Sequence, residues 1–502
     1  MIAALFTTIL TVAATTLQPS TASFAYAHHP LSNVTPAEQA LFDRTLTLYY
    51  AYNGAEGARI LQAALARDPK FAMGYWGLAL SYSPDINTDL TEDHFKRAQA
   101  AIAKAAALKS AVSPAELTYI EAMQLRYAGS WADHDKAESA YRDAMAAAVA
   151  RYPSDDDLTA LDVEALLEKY GRNAWKTGTN TPTTSATLTM ASLLDRIVAR
   201  NPQHIMANHL QIHLFEDAAD HSRSIAAAKR LDAMNFAPEN EHLAHMPAHA
   251  WIDVGSYGRS IASSRRAISL FDQYLSQPDV DRAHRGYLGH DIEVGWGAAL
   301  MLGNYSSAKS FASRFDSFRD TNTAQHMTAL RFEDTKALAA LQSDSQAPKD
   351  ERAIFAAYLA ILQGNVGAAR TSLLPMLTAK EKSPITWAMA ARLKLLEGDR
   401  SAAAVDFRKA QDLEDDQFGG EELPRVPVGE IEGFGYFRSG NFAQAEAAFR
   451  ATLKRYPNDP RALYGLSQTL LKEAKSVEAQ RVAADFRKAW QGADVSLSIQ
   501  FL

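Results

Sequence analysis

The chain has 502 residues, of which 47% are hydrophobic and 22% charged, enough for several globular domains or one long helical array. Its formal net charge of -7 is small and spread along the chain, which argues against a nucleic-acid surface. The absence of cysteine removes disulfides, thiolate metal ligands and a cysteine nucleophile.

The first element is an apolar stretch, MIAALFTTILTVAATTLQ (1–18), followed by polar residues and Ala25-Tyr26-Ala27, a small-x-small cleavage pattern. No Lys or Arg precedes Arg44, so the usual basic leader is missing. Residues 1–27 are nevertheless expected to be a signal peptide, which would make the chain periplasmic or secreted and leave 28–502 as the mature protein. No later segment is apolar for long enough to span a bilayer.

From residue 40 onward the pattern is helical. Runs such as 98–111 are rich in alanine, and strand-like alternation is scarce. One motif recurs: a helix rich in small residues, then Gly with a small polar residue, then a second helix. The markers stand at 255–257 (GSY), 303–305 (GNY), 364–366 (GNV), 398–400 (GDR) and 440–442 (GNF). In the clearest copy, 433–460, Gly433 and Tyr436 fall on the first helix and Ala445 and Phe449 on the second. These residues resemble the tetratricopeptide repeat family, over most of 40–490. That resemblance implies an all-α, TPR-like solenoid of about 12 or more antiparallel helical hairpins and a groove suited to a peptide or protein partner. The most regular units fall in 384–490. Two interruptions, the Thr-rich 177–189 and the acidic, Gly- and Pro-containing 412–428, are expected to be loops.

Histidine is concentrated in one part of the array. Seven of the 14 histidines, His204, His209, His213, His221, His242, His245 and His249, lie within 46 residues. His209 and His213 are four apart, as are His245 and His249, so each pair leaves one helix face and matches the bite of a single ion. Glu216 extends the first pair, and His290 with Glu293 on the next first helix adds donors at i,i+3. The expected metal ligands are therefore His209, His213, His245, His249, His290, Glu216 and Glu293, converging from three successive inner helices of segment 159–296. His204, His221 and His242 read as ordinary hydrogen-bonding residues. For Pro247, between His245 and His249, two readings fit: the helix begins there, or the proline kinks a continuous helix.

The segment 159–296 also resembles a group of mostly bacterial tetratricopeptide proteins. The likeness lies in Asn208-His209 through Ile212-His213, in His245-Met246-Pro247-Ala248-His249 and in Gly255-Ser256-Tyr257. Where that group has H-N-x-H, this chain has His290-Asp291-Ile292-Glu293, and Asp253 stands where the group has arginine. The resemblance implies a shared histidine site and no particular reaction. Imidazole with carboxylate and no thiolate suits Zn, Fe, Mn or Cu(II). Nucleophile-elbow, P-loop, dinucleotide-binding and H-E-x-x-H patterns are absent from the sequence. Three functions remain: a metal-dependent enzyme of oxidative or hydrolytic type, a scaffold binding peptides, and metal storage or delivery.

Overall fold

The computed structural model describes residues 26–171, 173–343, 348–380, 382–417, 423 and 425–497. All but the last two residues of the expected signal peptide lie outside that set. Among the described residues the chain forms an α-solenoid of 25 helices, and the few β-bridges are isolated. No described helix is long and apolar enough to cross a membrane.

Local signals explain where helices begin and end. Thr35 and Glu38 form a reciprocal capping box ahead of Pro36–Tyr50, with Pro36 in the first turn. Ser113 and Glu116 repeat the device at Pro114–Arg126. All five marker glycines, Gly255, Gly303, Gly364, Gly398 and Gly440, take positive φ. An L side chain resists that backbone, so each glycine ends one helix and lets the next fold back as a hairpin. Asn304 and Asn365 then cap the returning helices with their side chains.

The interleaved small and aromatic residues fill the space between hairpins. Phe449 is fully buried between Gly433 and Gly465, where an added Cβ would come within 2.4 Å and 2.2 Å of its ring. A larger residue at either glycine would push the helices apart. Deeper in the same region, Arg331 donates to both carboxylate oxygens of Glu430, and Arg461 donates to the Arg331 carbonyl at 2.8 Å.

Two long-range closures turn the array back on itself. The N-terminal hairpin reaches the middle of the chain, where Tyr50 donates to Asp157 at 2.8 Å and Asn53 to the Glu239 carbonyl at 3.0 Å. At the other end, Asn458 donates to the Val254 carbonyl at 2.9 Å and Tyr257 to the Pro457 carbonyl at 3.2 Å. A Cβ at Gly255 would sit 1.8 Å from that Pro457 oxygen, so the contact requires glycine. Asp494 accepts from the backbone of Tyr305 and Ser306 at 2.5 Å and 2.9 Å.

Two expected loops are shorter than the sequence suggests. Helix Ser185–Arg200 takes in the end of the Thr-rich stretch, because Ser185 onward carries no breaker once Pro182 is passed. Helix Arg400–Gln417 likewise runs into the acidic segment, which has neither Gly nor Pro before Gly419. Pro247 is the first residue of helix Pro247–Asp253, which follows Glu241–His245 with only Met246 between them. Met246 keeps helical dihedrals, so the two short helices continue each other while the hydrogen-bond ladder is interrupted at the proline.

Candidate metal centre

Helix Ile205–Phe215 is buried along its whole length, and His204 caps its start by accepting from the Ala207 backbone at 3.2 Å. Burial on every face brings both His209 and His213 inside. Their Nε2 atoms approach to 3.1 Å, and the Nε2 of His242, from the next hairpin, comes within 3.2 Å of His209 Nε2. His245, His249 and His290 form a second group. His249 Nε2 lies 2.8 Å from His245 Nε2 and 3.2 Å from His290 Nε2. In each group of three, the donor atoms lie within 4.8 Å of one another.

The far sides of the rings fix which nitrogen carries the proton. His209 Nδ1 is 3.0 Å from the Tyr50 carbonyl, and His213 Nδ1 is 2.9 Å from Glu216 Oε1. A carbonyl and a carboxylate can only accept, so both Nδ1 atoms donate and both Nε2 atoms present lone pairs. Two lone pairs 3.1 Å apart repel unless a cation lies between them. His245 Nδ1 stands 3.1 Å from Asp291 Oδ1, so an acid also lies close on the outer side of that ring. A metal about 2.0–2.1 Å from each Nε2 would see N–metal–N angles of roughly 85–105° at these separations.

The surroundings are dry. His209, His213, His242, His245 and His249 are at most 2% exposed. Burial, reinforced by the neighbouring imidazoles, holds His242 well below the ordinary imidazole range. Tyr52 lies against the first group, tilted to His209 at 4.4 Å and stacked on His242 at 5.3 Å between ring centroids. Tyr287 meets His242 edge-on at 4.8 Å. Burial, with Glu241 nearby, pushes the Asp291 carboxyl well above its usual value.

The five expected histidine ligands are all drawn into these two groups, and the carboxylates are not. Glu216 keeps helical dihedrals and, three residues on from His213, bonds the outer nitrogen of that ring. Glu293 pairs with Arg425, which comes from 132 residues further along. His242, read from sequence as ordinary, completes the first group. Its i,i+3 relation to His245 was the available signal, but spacing alone does not say which neighbouring helix its ring meets. Asp291, which stands where the resembling group has asparagine and can itself ligate metal, lies behind the His245 ring. His204 contacts Asp157 at 3.2 Å and His221 lies 3.8 Å from Asp253, outside both groups.

Beside the first group lies a central cavity of about 1660 Å³. Glu216, Asp217, Asp253 and Asp85 line it together with residues from 454–457, so the closure of the array bounds it. Its wall carries nine Asp and Glu side chains against four Lys or Arg, with Glu138 and Glu168 already paired to the buried Arg126 and Glu168 raised to about 8 by burial. Asp85 is pushed up to about 6 by burial despite three hydrogen bonds from Asn87 and Thr88.

No family model matches the chain, and no curated protein matches it. Among solved structures it is similar to the crystal structure of the APC/C hetero-tetramer Cut9-Hcn1, at 12% identity, covering 91% of this chain and 90% of that one, with a TM-score of 0.29. An overlap that loose carries nothing over to this chain.

Proposed function

We propose that this chain is a helical-repeat protein that holds transition-metal ions at two three-histidine sites. One observation carries the reading: the Nδ1 contacts of His209 and His213 leave their Nε2 lone pairs facing each other at 3.1 Å in a buried site. A supporting acid on a ligand histidine, here Glu216 on His213, is what metal sites use to fix the ring and raise its basicity. Zn, Fe, Mn and Cu all remain within reach of the reading, and the near-absence of direct carboxylate donors favours Zn or Cu among them. The repeat punctuation and hairpins support membership of the tetratricopeptide family, and the apolar start with Ala25-Tyr26-Ala27 supports export.

Elemental analysis of the purified full chain tests this. Zinc or copper is expected at up to two ions per chain, one for each histidine group. Changing His213 and His249 to Ala together should abolish retention while circular dichroism keeps its helical signal. Wild-type protein that holds no metal after supplementation with these ions would overturn the reading.

The central cavity supports a second role. Its acidic surplus suits a Lys- or Arg-rich segment of a partner protein. Binding of a basic peptide that weakens with salt is expected, whereas equal binding of an acidic peptide would count against it.

A further inference from the structure

We propose that the two histidine groups act as one dinuclear copper centre that binds dioxygen between its ions. This rests on the metal reading above and adds nuclearity, metal and ligand to it.

The first support is adjacency. His242 belongs to one group and His245 to the other, yet they stand one turn apart on helix Glu241–His245. Their ring centroids are 6.1 Å apart and the rings lie 28° from parallel. His245 in turn sits 4.9 Å from His290, so imidazoles run without a break from one group into the other. Two ions held this way would be neighbours along one helical turn, with a small ligand proposed to span them.

The donor set is the second support. Each group offers three imidazole nitrogens and no carboxylate oxygen. Glu216 and Asp291 lie at outer ring nitrogens, and Glu293 is taken by Arg425. Manganese, magnesium and calcium seek oxygen donors, and non-haem iron sites typically include a carboxylate; a neutral all-imidazole set suits copper in either oxidation state. Three protein ligands also leave room on each ion for an external one.

Enclosure is the third. Five of the six rings are at most 2% exposed, and the aromatic rings of Tyr52 and Tyr287 lie against His242. A ligand reaching the ions must be small and must shed little hydration. Dioxygen meets both demands, whereas a hydrated anion or a peptide does not.

The electron count closes with the two metals alone. Each copper(I) gives up one electron, dioxygen accepts both and bridges two copper(II) ions as a dianion, the O–O bond stays intact, and no proton is taken up. Release returns one electron to each copper.

The test uses wild-type full-length protein loaded with copper(I) under argon and then exposed to dioxygen. Two copper ions per chain, uptake of one dioxygen per copper pair, a new charge-transfer absorption and a silent electron paramagnetic resonance spectrum are expected. The silence follows from pairing of the two copper(II) spins. His242→Ala and His249→Ala, checked for helicity, should each lose dioxygen uptake while keeping one copper. Two bound coppers that take up no dioxygen, or that give the full signal of isolated copper(II), overturn the dinuclear proposal and leave the metal reading standing. Retention of zinc with no binding of copper does the same. Failure to hold any of these metals overturns both.

Discussion

In the C-terminal hairpins buried charge meets its opposite: Arg331 donates to both oxygens of Glu430, and Arg461 reaches the Arg331 carbonyl. In the two histidine groups the buried polar groups do the reverse. Six imidazoles aim like atoms at one another, with supporting acids behind them rather than between them. Both regions are built from the same hairpins, so the fold does not demand either arrangement. A network whose partners all come from the chain is finished when the chain folds. A network in which imidazole nitrogens converge has the donor arrangement that an ion can complete.

Several experiments would break or sharpen that contrast. The largest effect is expected from Arg331→Ala, which strands a buried Glu430 carboxylate; loss of an ion-pair partner of this kind costs about 3–5 kcal/mol. Denaturant unfolding should show that loss with metal content unchanged. Next comes metal itself: at about 100-fold excess over its dissociation constant, a bound ion should raise stability by about 2.7 kcal/mol. Thermal unfolding with and without zinc or copper measures this, and a shift that persists in the His213→Ala, His249→Ala double variant would place binding elsewhere. Glu216→Ala, which removes the acid behind His213, is expected to weaken metal binding about 10- to 100-fold, read by competition with a chelator.

The smallest effect concerns the N-terminal anchor, where His29 Nδ1 lies 2.9 Å from Asp157 Oδ2. Burial pulls the His29 ring down, but its hydrogen bond and charge interaction with Asp157 outweigh this and leave it raised. The stabilisation is therefore fully present below about pH 6.5, the unfolded value, and is lost as pH rises through the higher folded value. His29→Asn should flatten that part of the stability profile between mildly acidic and mildly basic pH. An unchanged slope would mean that the contact contributes nothing to folding.

Much of the site was legible because helical spacing is a short-range property. The i,i+4 pairs His209/His213 and His245/His249 fall together because one turn brings them together. What spacing hides is the partner across the helix. His242, His245 and His249 look like one row, but residues seven apart on a helix are separated by about 10 Å, too far for one ion. Each ring is therefore grouped with those at its own level, and His242 joins His209 and His213. Glu293 illustrates the same limit, since Arg425 arrives from a distant hairpin through a closure that no local pattern encodes. The repeats were legible through their glycines, whose positive φ is a demand of the turn. The loops were overestimated where polar composition outweighed the lack of any residue that stops a helix, as in 412–417.

The contact of Pro457 and Asn458 with Val254, Gly255 and Tyr257 has a mechanical consequence. An open stack of hairpins behaves as a spring, stretching and twisting because each unit touches only its neighbours. Here the spring is clasped directly after helix Pro247–Asp253, the element that carries His249. Stretching of the coil cannot lengthen residues 258–456, the stretch that carries His290, until that clasp is undone.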